Sequence, residues 1–251
     1  MKFAQFALVA VGTLACNWSH AAEITVVSTV GVRGLLEQIR ASFEHHSDDR
    51  LHVEYGTAAV LKRRLEGGAP FDVAILTQSM IDDLARQEKI AAATRTVVAR
   101  SGMGIAVRAG TSKPVIDTQE GLRRALLASS GVAYTKEGQS GAAAARLFDT
   151  LGIAEPMRDR ILLEARPAGG VLAVAEGKAP LGIALMSEIA ADSQVELAGP
   201  LPGDLQTYVV FAAGMAASTR EQATCRAFIA FLGTREVDLS LRKLGMEKTG
   251  R

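Results

Sequence analysis

Ile24-Thr25-Val26-Val27-Ser28-Thr29-Val30-Gly31-Val32-Arg33-Gly34 reads as a β-branched strand, a glycine-containing turn and the first turn of a helix. Leu35, Leu36, Ile39 and Phe43 continue it at the spacing of one helical face. The plan then repeats. Leu51 to Tyr55 is extended, Thr57 stands where a cap would start a helix carrying Leu61 and Leu65, and Gly67-Gly68 end it. Phe71 to Leu76 is apolar almost throughout, without alternation, as strands of a parallel sheet covered on both faces are. Ser79, with Asp82 three residues on, opens another helix through Ile81 and Leu84. Strands alternating with helices in this way predict an α/β fold with mainly parallel sheets.

Arg95 to Arg108 breaks the alternation with a longer apolar stretch, which we read as a crossover into a second lobe. There the pattern resumes: a capped helix from Thr118 to Leu127, a strand at Val132 to Tyr134, a helix opened by Ser140 and stopped at Gly152, a short helix at Val171 to Glu176, and a buried strand at Leu181 to Met186. After the Gly199-Pro200-Leu201-Pro202-Gly203 break, Gln206 to Ala212 reads as a second crossover. Ser218 and Glu221 have capping-box spacing before a helix through Phe228 and Phe231, and Thr234 to Leu244 is a last helix returning to the first lobe. The expected division is 23–103 with 204–251 as lobe I and 104–203 as lobe II. Two lobes joined by two crossovers leave a cleft between them. Ligands of open α/β sheets bind beyond the carboxyl ends of the strands, which points to loops 28–34, 56–59, 134–141 and 166–170.

Residues 1–22 carry one charge, Lys2, then an apolar run from Phe6 to Ala15 and small residues at Ser19, Ala21 and Ala22. This is the pattern of a secretory signal peptide cleaved after Ala21 or Ala22; the run falls short of the roughly 20 residues that span a bilayer. Thr13 stands where lipid attachment at Cys16 would call for Leu, so no lipid anchor is expected. With Lys2 removed, the 28 basic and 27 acidic residues balance, and no nucleic-acid partner is implied. Cys225 has no mature partner for a disulfide, and His45, His46 and His52 form a polar cluster without metal-ligand spacing. Neither a metal nor a cofactor is expected. The predicted location is the periplasm, and the predicted state is a monomer.

The chain resembles the type II periplasmic binding proteins, most closely the molybdate-binding proteins of ABC importers. The resemblance is carried by Ile24 to Val27, by Leu65-Glu66-Gly67-Gly68-Ala69-Pro70-Phe71-Asp72, and by Glu176-Gly177-Lys178-Ala179-Pro180-Leu181-Gly182-Ile183. It implies a two-lobe clamp that captures a small anion and delivers it to an ABC permease. In that family small hydroxyl side chains, backbone N–H groups and a late Tyr hold the oxyanion. The corresponding positions here are Gly31, the stretch Gly56-Thr57-Ala58-Ala59, and Leu185.

The candidate ligand contacts are Ser28, Thr29, Gly31 and Arg33 in the first loop, Gly56 and Thr57 in the second, and Tyr134, Thr135, Ser140, Gly141, Arg166 and Gly169 in the second lobe. Loops entering helices offer free N–H groups and the positive end of the helix dipole to an anion. Gly31 and Gly56 would permit close approach. Thr57 and Ser140 supply hydroxyls that serve either a ligand or their own helix as N-caps. Arg33 offers a planar fork suited to a carboxylate, at a helix start where the dipole disfavours a cation; the bland alternative is a solvated arginine. The ligand is therefore an organic carboxylate or a molybdate-type oxyanion. An enzyme is the weaker reading. Gly138-Gln139-Ser140-Gly141-Ala142 misses nucleophile-elbow spacing, the second lobe has no histidine, and the cleft loops hold no carboxylate pair. An exported sensor that reports to a receptor stays open as an alternative.

Overall fold

The computed structural model describes residues 21–249. The expected leader as far as residue 20, with Cys16, lies outside them. The chain opens with β1 (Glu23–Thr29), α1 (Arg33–Ser47), β2 (Arg50–Gly56), α2 (Ala58–Glu66), β3 (Val73–Thr77) and α3 (Gln78–Arg86). A single long strand, β4 (Thr96–Arg108), follows. Next come α4 (Gln119–Ala128), β5 (Val132–Thr135), α5 (Gly138–Thr150), α6 (Ala154–Met157) and β6 (Ile161–Glu164). After these lie α7 (Gly169–Ala175), β7 (Leu181–Leu185), α8 (Met186–Ala190) and β8 (Val195–Pro200). The chain returns through β9 (Tyr208–Met215) and closes with α9 (Gln222–Phe231), α10 (Arg235–Lys243) and β10 (Met246–Glu247).

The architecture is a two-lobe α/β fold. Each lobe has a parallel nucleus of three strands, β2-β1-β3 in one and β6-β5-β7 in the other. Strands that pass between the lobes add to these nuclei antiparallel: β9 pairs with β3, and β4 pairs with β7 and β8. The first half of β4, Thr96 to Gly102, pairs with β9, whereas Met103 to Val107 pairs with β7. The side-chain amide of Gln206 fastens the return path to this point. Its Oε1 accepts the Met103 N–H at 2.8 Å, and its Nε2 donates to the Met103 carbonyl at 3.0 Å.

Two stretches that carried the family resemblance turn out to be packing devices. Asp72 accepts the Thr25 N–H at 2.8 Å and the Thr219 hydroxyl at 2.5 Å, while its own carbonyl accepts the Ala216 N–H at 2.8 Å. It thus joins β1 to the segment between β9 and α9. Gly182, on β7, lies against the backbone of α7: a Cβ there would stand 2.5 Å from the Gly170 carbonyl oxygen. The last helices do return to the first lobe, where Phe228 meets Phe43 edge-on at 5.1 Å and buried Val237 and Leu241 join the same core.

Several local expectations need correction. Ser218 does not cap α9; the N-cap is Glu221, and Thr219 accepts the Glu221 N–H instead. α3 begins before Ser79, with Thr77 as N-cap, and α5 begins at Gly138, leaving Ser140 as its third residue. The histidines do not cluster in one segment: His45 and His46 form the last turn of α1, and His52 lies in β2. The Gly199-Pro200 break is the end of strand β8, which pairs with β4 around a bulge at Ile105 and Ala106.

Replacing Asp72 by Ala leaves partly buried donors on Thr25 and Thr219 unpaired and is expected to cost about 2–4 kcal/mol. Gly182→Ala is expected to cost about 1–3 kcal/mol through overpacking against α7. Urea unfolding midpoints check both.

Candidate functional site

Two adjoining cavities lie where the cleft loops meet. The smaller, about 50 Å³, is lined by hydroxyl-bearing Thr29, Thr57, Thr77, Thr135 and Ser140, together with Glu137 and Phe211. The larger, about 450 Å³, is lined by Arg33, Tyr55, Arg166, Leu172, Glu188 and Asp192. Val30, Pro167, Ala168 and Glu188 line both, so they form the wall between the two. The larger volume is in the range of small-molecule sites; the smaller has room for about three waters.

The N-terminus of α2 enters the smaller cavity through Thr57 and Ala58, and that of α5 enters through Gly138, Gln139 and Ser140. First-turn N–H groups have no partner within their own helix, which gives this cavity a positive lining. Thr57 holds the N-cap position of α2 without making the cap bond. Its Oγ1 is one of two buried side-chain oxygens or nitrogens without a hydrogen-bond partner among the described residues, and the other is the Tyr55 hydroxyl. Both lie on the cavities. Buried polar atoms are almost always paired, so the Thr57 hydroxyl marks a place where a ligand or water completes the bonding, whereas the Tyr55 hydroxyl has the Glu37 carboxylate nearby. Burial, and then the nearby Glu37 carboxylate, push the Tyr55 phenol above its ordinary range, so it stays a donor. Ala168 takes a left-handed backbone at φ 54°, uncommon for a residue with a Cβ. That bend leads Gly169 to donate its N–H to Thr135 Oγ1 at 3.1 Å.

The candidate residues separate into three groups. Thr29, Thr57, Thr135 and Ser140 line the smaller cavity, and Arg33 and Arg166 the larger. Gly31, Gly56, Gly141 and Gly169 support the walls. A Cβ on Gly31 would stand 2.6 Å from Phe211 Cζ and 3.1 Å from Leu185 Cδ1; on Gly56, 2.9 Å from Leu61 Cδ2; on Gly141, 2.1 Å from the Thr135 carbonyl oxygen. A Cβ on Gly169 would stand 2.3 Å from that of Glu164. Ser28 and Tyr134 line neither cavity. Ser28 is fully buried with its hydroxyl donating to the Thr29 carbonyl, and Tyr134 packs 5.8 Å from Phe148 in the second lobe's core.

The two arginines differ in what their charge does. Arg166 is spent on the protein itself: it holds Glu176 with two bonds, at 2.6 and 2.9 Å, and Glu164 at 3.2 Å. Arg33 makes no ion pair among the described residues and lies over the Tyr55 ring, 4.9 Å from its centre.

Glu188 escaped the sequence reading, which looked for acids in loops. The signal was a lone carboxylate in Met186-Ser187-Glu188-Ile189-Ala190, immediately after a buried strand. It sits in the first turn of α8, only 9% exposed, and accepts the Leu185 N–H at 3.4 Å. No cation pairs with it among the described residues. Burial pushes its carboxyl up to about 7, only slightly offset by the Leu185 N–H. A raised carboxyl weakens the fold as pH rises: below its ordinary value of 4.5 both states are protonated, and between there and about 7 unfolding frees it to ionise. Folding stability should therefore fall by about 3 kcal/mol from pH 4.5 to 8 relative to Glu188→Gln, measured by urea unfolding across that range.

The family model described as bacterial extracellular solute-binding protein matches residues 24–247. Among curated proteins, the chain is 25% identical over 231 residues to an aconitate isomerase of a Pseudomonas species, covering 89% of this chain and 87% of that one. It is also 25% identical over 198 residues to the molybdate-binding protein ModA of Azotobacter vinelandii, covering 77% of each. The solved periplasmic molybdate-binding protein of Azotobacter vinelandii has the same fold, with a TM-score of 0.78 at 18% identity over 90% of this chain and all of that one. With the model spanning both lobes and the cleft between them, the chain belongs to the bacterial extracellular solute-binding protein family.

Proposed function

We propose that this solute-binding protein works in the periplasm as the monomeric receptor of an ABC-type importer, and that its ligand is a small polycarboxylate. The observation that carries the reading is the pairing of two anion-attracting poles in one cleft. Helix N-termini and hydroxyls line one cavity, and Arg33, with no ion pair among the described residues, lines the other. A ligand with carboxylates at two ends fits that separation. The guanidinium fork of Arg33 matches a planar carboxylate better than a tetrahedral oxyanion.

Three further features favour a carboxylate over molybdate. Gly31 and Leu185, which stand where the family carries Ser and Tyr, offer no hydroxyl, and a side chain at Gly31 would run into Phe211 and Leu185, its Cβ 2.6 Å from Phe211 Cζ. The larger cavity exceeds what a single oxyanion needs. The Pseudomonas relative is named for aconitate, an unsaturated tricarboxylate. On this reading Arg33, Thr57, Thr29, Thr135 and Ser140 contact the ligand, Tyr55 joins them, and Arg166 shapes the cavity wall. Lobe I is 23–103 with 204–251 and lobe II is 104–203; they close about β4 near Met103 and the return at Gln206.

A second reading, turnover of the carboxylate in place of its delivery, is favoured by Glu188, which lines both cavities, and by the same relative's name. The expectation of a non-enzyme rested on the missed nucleophile-elbow spacing, the lack of a histidine in the second lobe and the lack of a carboxylate pair in the cleft loops, and it left this helical residue out.

A thermal-shift screen of the protein without its leader, against molybdate, tungstate, sulfate and mono-, di- and tricarboxylates, tests the ligand class. A ligand at a thousand times its Kd stabilises by about 4 kcal/mol, or about 8–16 °C for a chain of this size. We expect that shift from a polycarboxylate; a shift from molybdate or tungstate alone overturns the reading. Arg33→Ala should weaken the polycarboxylate by about 10- to 100-fold with little change in unfolding midpoint. Small-angle scattering should show compaction at saturation.

A further inference from the structure

We propose that the cleft is also a proton-transfer site, in which Glu188 moves a proton between two carbons of a bound unsaturated polycarboxylate and so shifts its double bond. This rests on the carboxylate reading above and adds a chemical step to it.

Position carries the argument. Glu188 is on the wall shared by the two cavities, between the helix N-termini of α2 and α5 on one side and Arg33 on the other. A ligand whose carboxylates reach both poles lays its carbon skeleton across Glu188, so the group faces C–H bonds and not carboxylate oxygens. The carboxyl is nine-tenths buried, and among the described residues it pairs with no cation and its one hydrogen bond is the long one from the Leu185 N–H. A purely structural acid at this depth would be expected to hold a cation or several N–H donors. The other charged groups on the cavities are Arg33, Arg166, Asp192 and Glu137; Arg166 is committed to Glu164 and Glu176. A carboxyl held near neutrality by burial populates both its acid and its base form at neutral pH, which suits it to take a proton and return it.

The step needs no other reactant. In prop-1-ene-1,2,3-tricarboxylate, the ionised Glu188 takes a proton from the methylene at C3. That C–H bond breaks as the carboxyl O–H forms, and the electron pair spreads over C3, C2 and C1 and into the attached carboxylates. The positive lining of the smaller cavity and Arg33 stabilise this charge where it develops. The O–H bond then breaks as the proton returns to C1, and the double bond comes to lie between C2 and C3. The skeleton is symmetric about C2, so the product is the starting compound or its geometrical isomer. Nothing is oxidised or reduced.

The test follows cis-prop-1-ene-1,2,3-tricarboxylate with the intact mature protein in deuterium oxide by proton NMR, beside thermal shifts with the same compound. We expect the trans isomer to appear and deuterium to enter the ligand carbons. Glu188→Gln keeps an oxygen for the Leu185 N–H and should retain the thermal shift while losing isomerisation by at least about 100-fold. Glu188→Asp, which still titrates but reaches less far, should keep a measurable fraction. Binding by the wild-type protein with neither isomerisation nor exchange overturns this proposal and leaves the binding reading standing. Turnover by Glu188→Gln equal to wild type removes Glu188 from the chemistry. No thermal shift from any carboxylate overturns the binding reading and this step with it.

Discussion

Two chain segments have to cross between the lobes, and the geometry of that crossing governs everything placed on either side of it. β4 solves the first crossing by remaining one 13-residue strand whose two halves bond to different neighbours. At the junction Gly102 pairs with β9 and Met103 with β7, so the strand passes from one set of neighbours to the other without a break in the ladder. Gly104 lets β8 approach: a Cβ there would stand 2.6 Å from Leu197 Cδ1. The second crossing is a loop, and the Gln206 amide ties it to the backbone of Met103. One side chain therefore couples both crossings at the place where a hinge would bend. The cleft contact between Gln139 and Ser79, at 3.3 Å, spans the two lobes at the far edge.

If the cleft takes the proposed carboxylate, a buried acid on its wall sets up an electrostatic conflict, because a second negative charge repels the ligand in a medium that screens little. The conflict is eased by leaving Glu188 without a cation, since burial then favours the neutral acid. Had Arg166 turned towards it, Glu188 would ionise and oppose the ligand. Arg166 instead faces Glu164 and Glu176, and those bonds hold the Glu176 carboxyl down at about 2. The division of the arginines, Arg166 paired with Glu164 and Glu176 and Arg33 without an ion pair among the described residues, leaves the site's positive charge on Arg33 and the helix ends.

The alternation of strands and helices was legible because parallel nuclei demand continuous apolar runs such as Phe71 to Leu76, and because glycines punctuate them. Gly67, Gly68 and Gly152 ended helices where expected. β6 and β8 were not read, since four and six residues bearing mixed burial leave no periodic signal. The capping residues were misassigned at Ser79, Ser140 and Ser218 because several hydroxyls near a helix start compete, and only three-dimensional neighbours choose among them. In the cleft, proximity of loops located Thr29, Thr57, Thr135 and Arg33 on the cavities, but it also nominated Ser28 and Tyr134, whose side chains point into the core. Along β1 and β5 neighbouring residues face opposite ways, and a loop boundary set one residue early takes in a core residue.

Glu188 was missed for a related reason: a glutamate in the first turn of a helix is what capping and the dipole favour anyway. The same preference gives the residue a reason to be tolerated in a buried place. Its bond from the Leu185 N–H offsets part of the cost of burial, while among the described residues the other carboxyl oxygen accepts no hydrogen bond. A binding protein that closes around an anion already excludes water, orients the ligand and supplies positive poles. A proton-transfer enzyme needs those features and one titratable group beside the right carbon. On the proposed reading that difference amounts to a single carboxyl between two cavities, and delivery and turnover are then separated by chemistry at one position rather than by architecture.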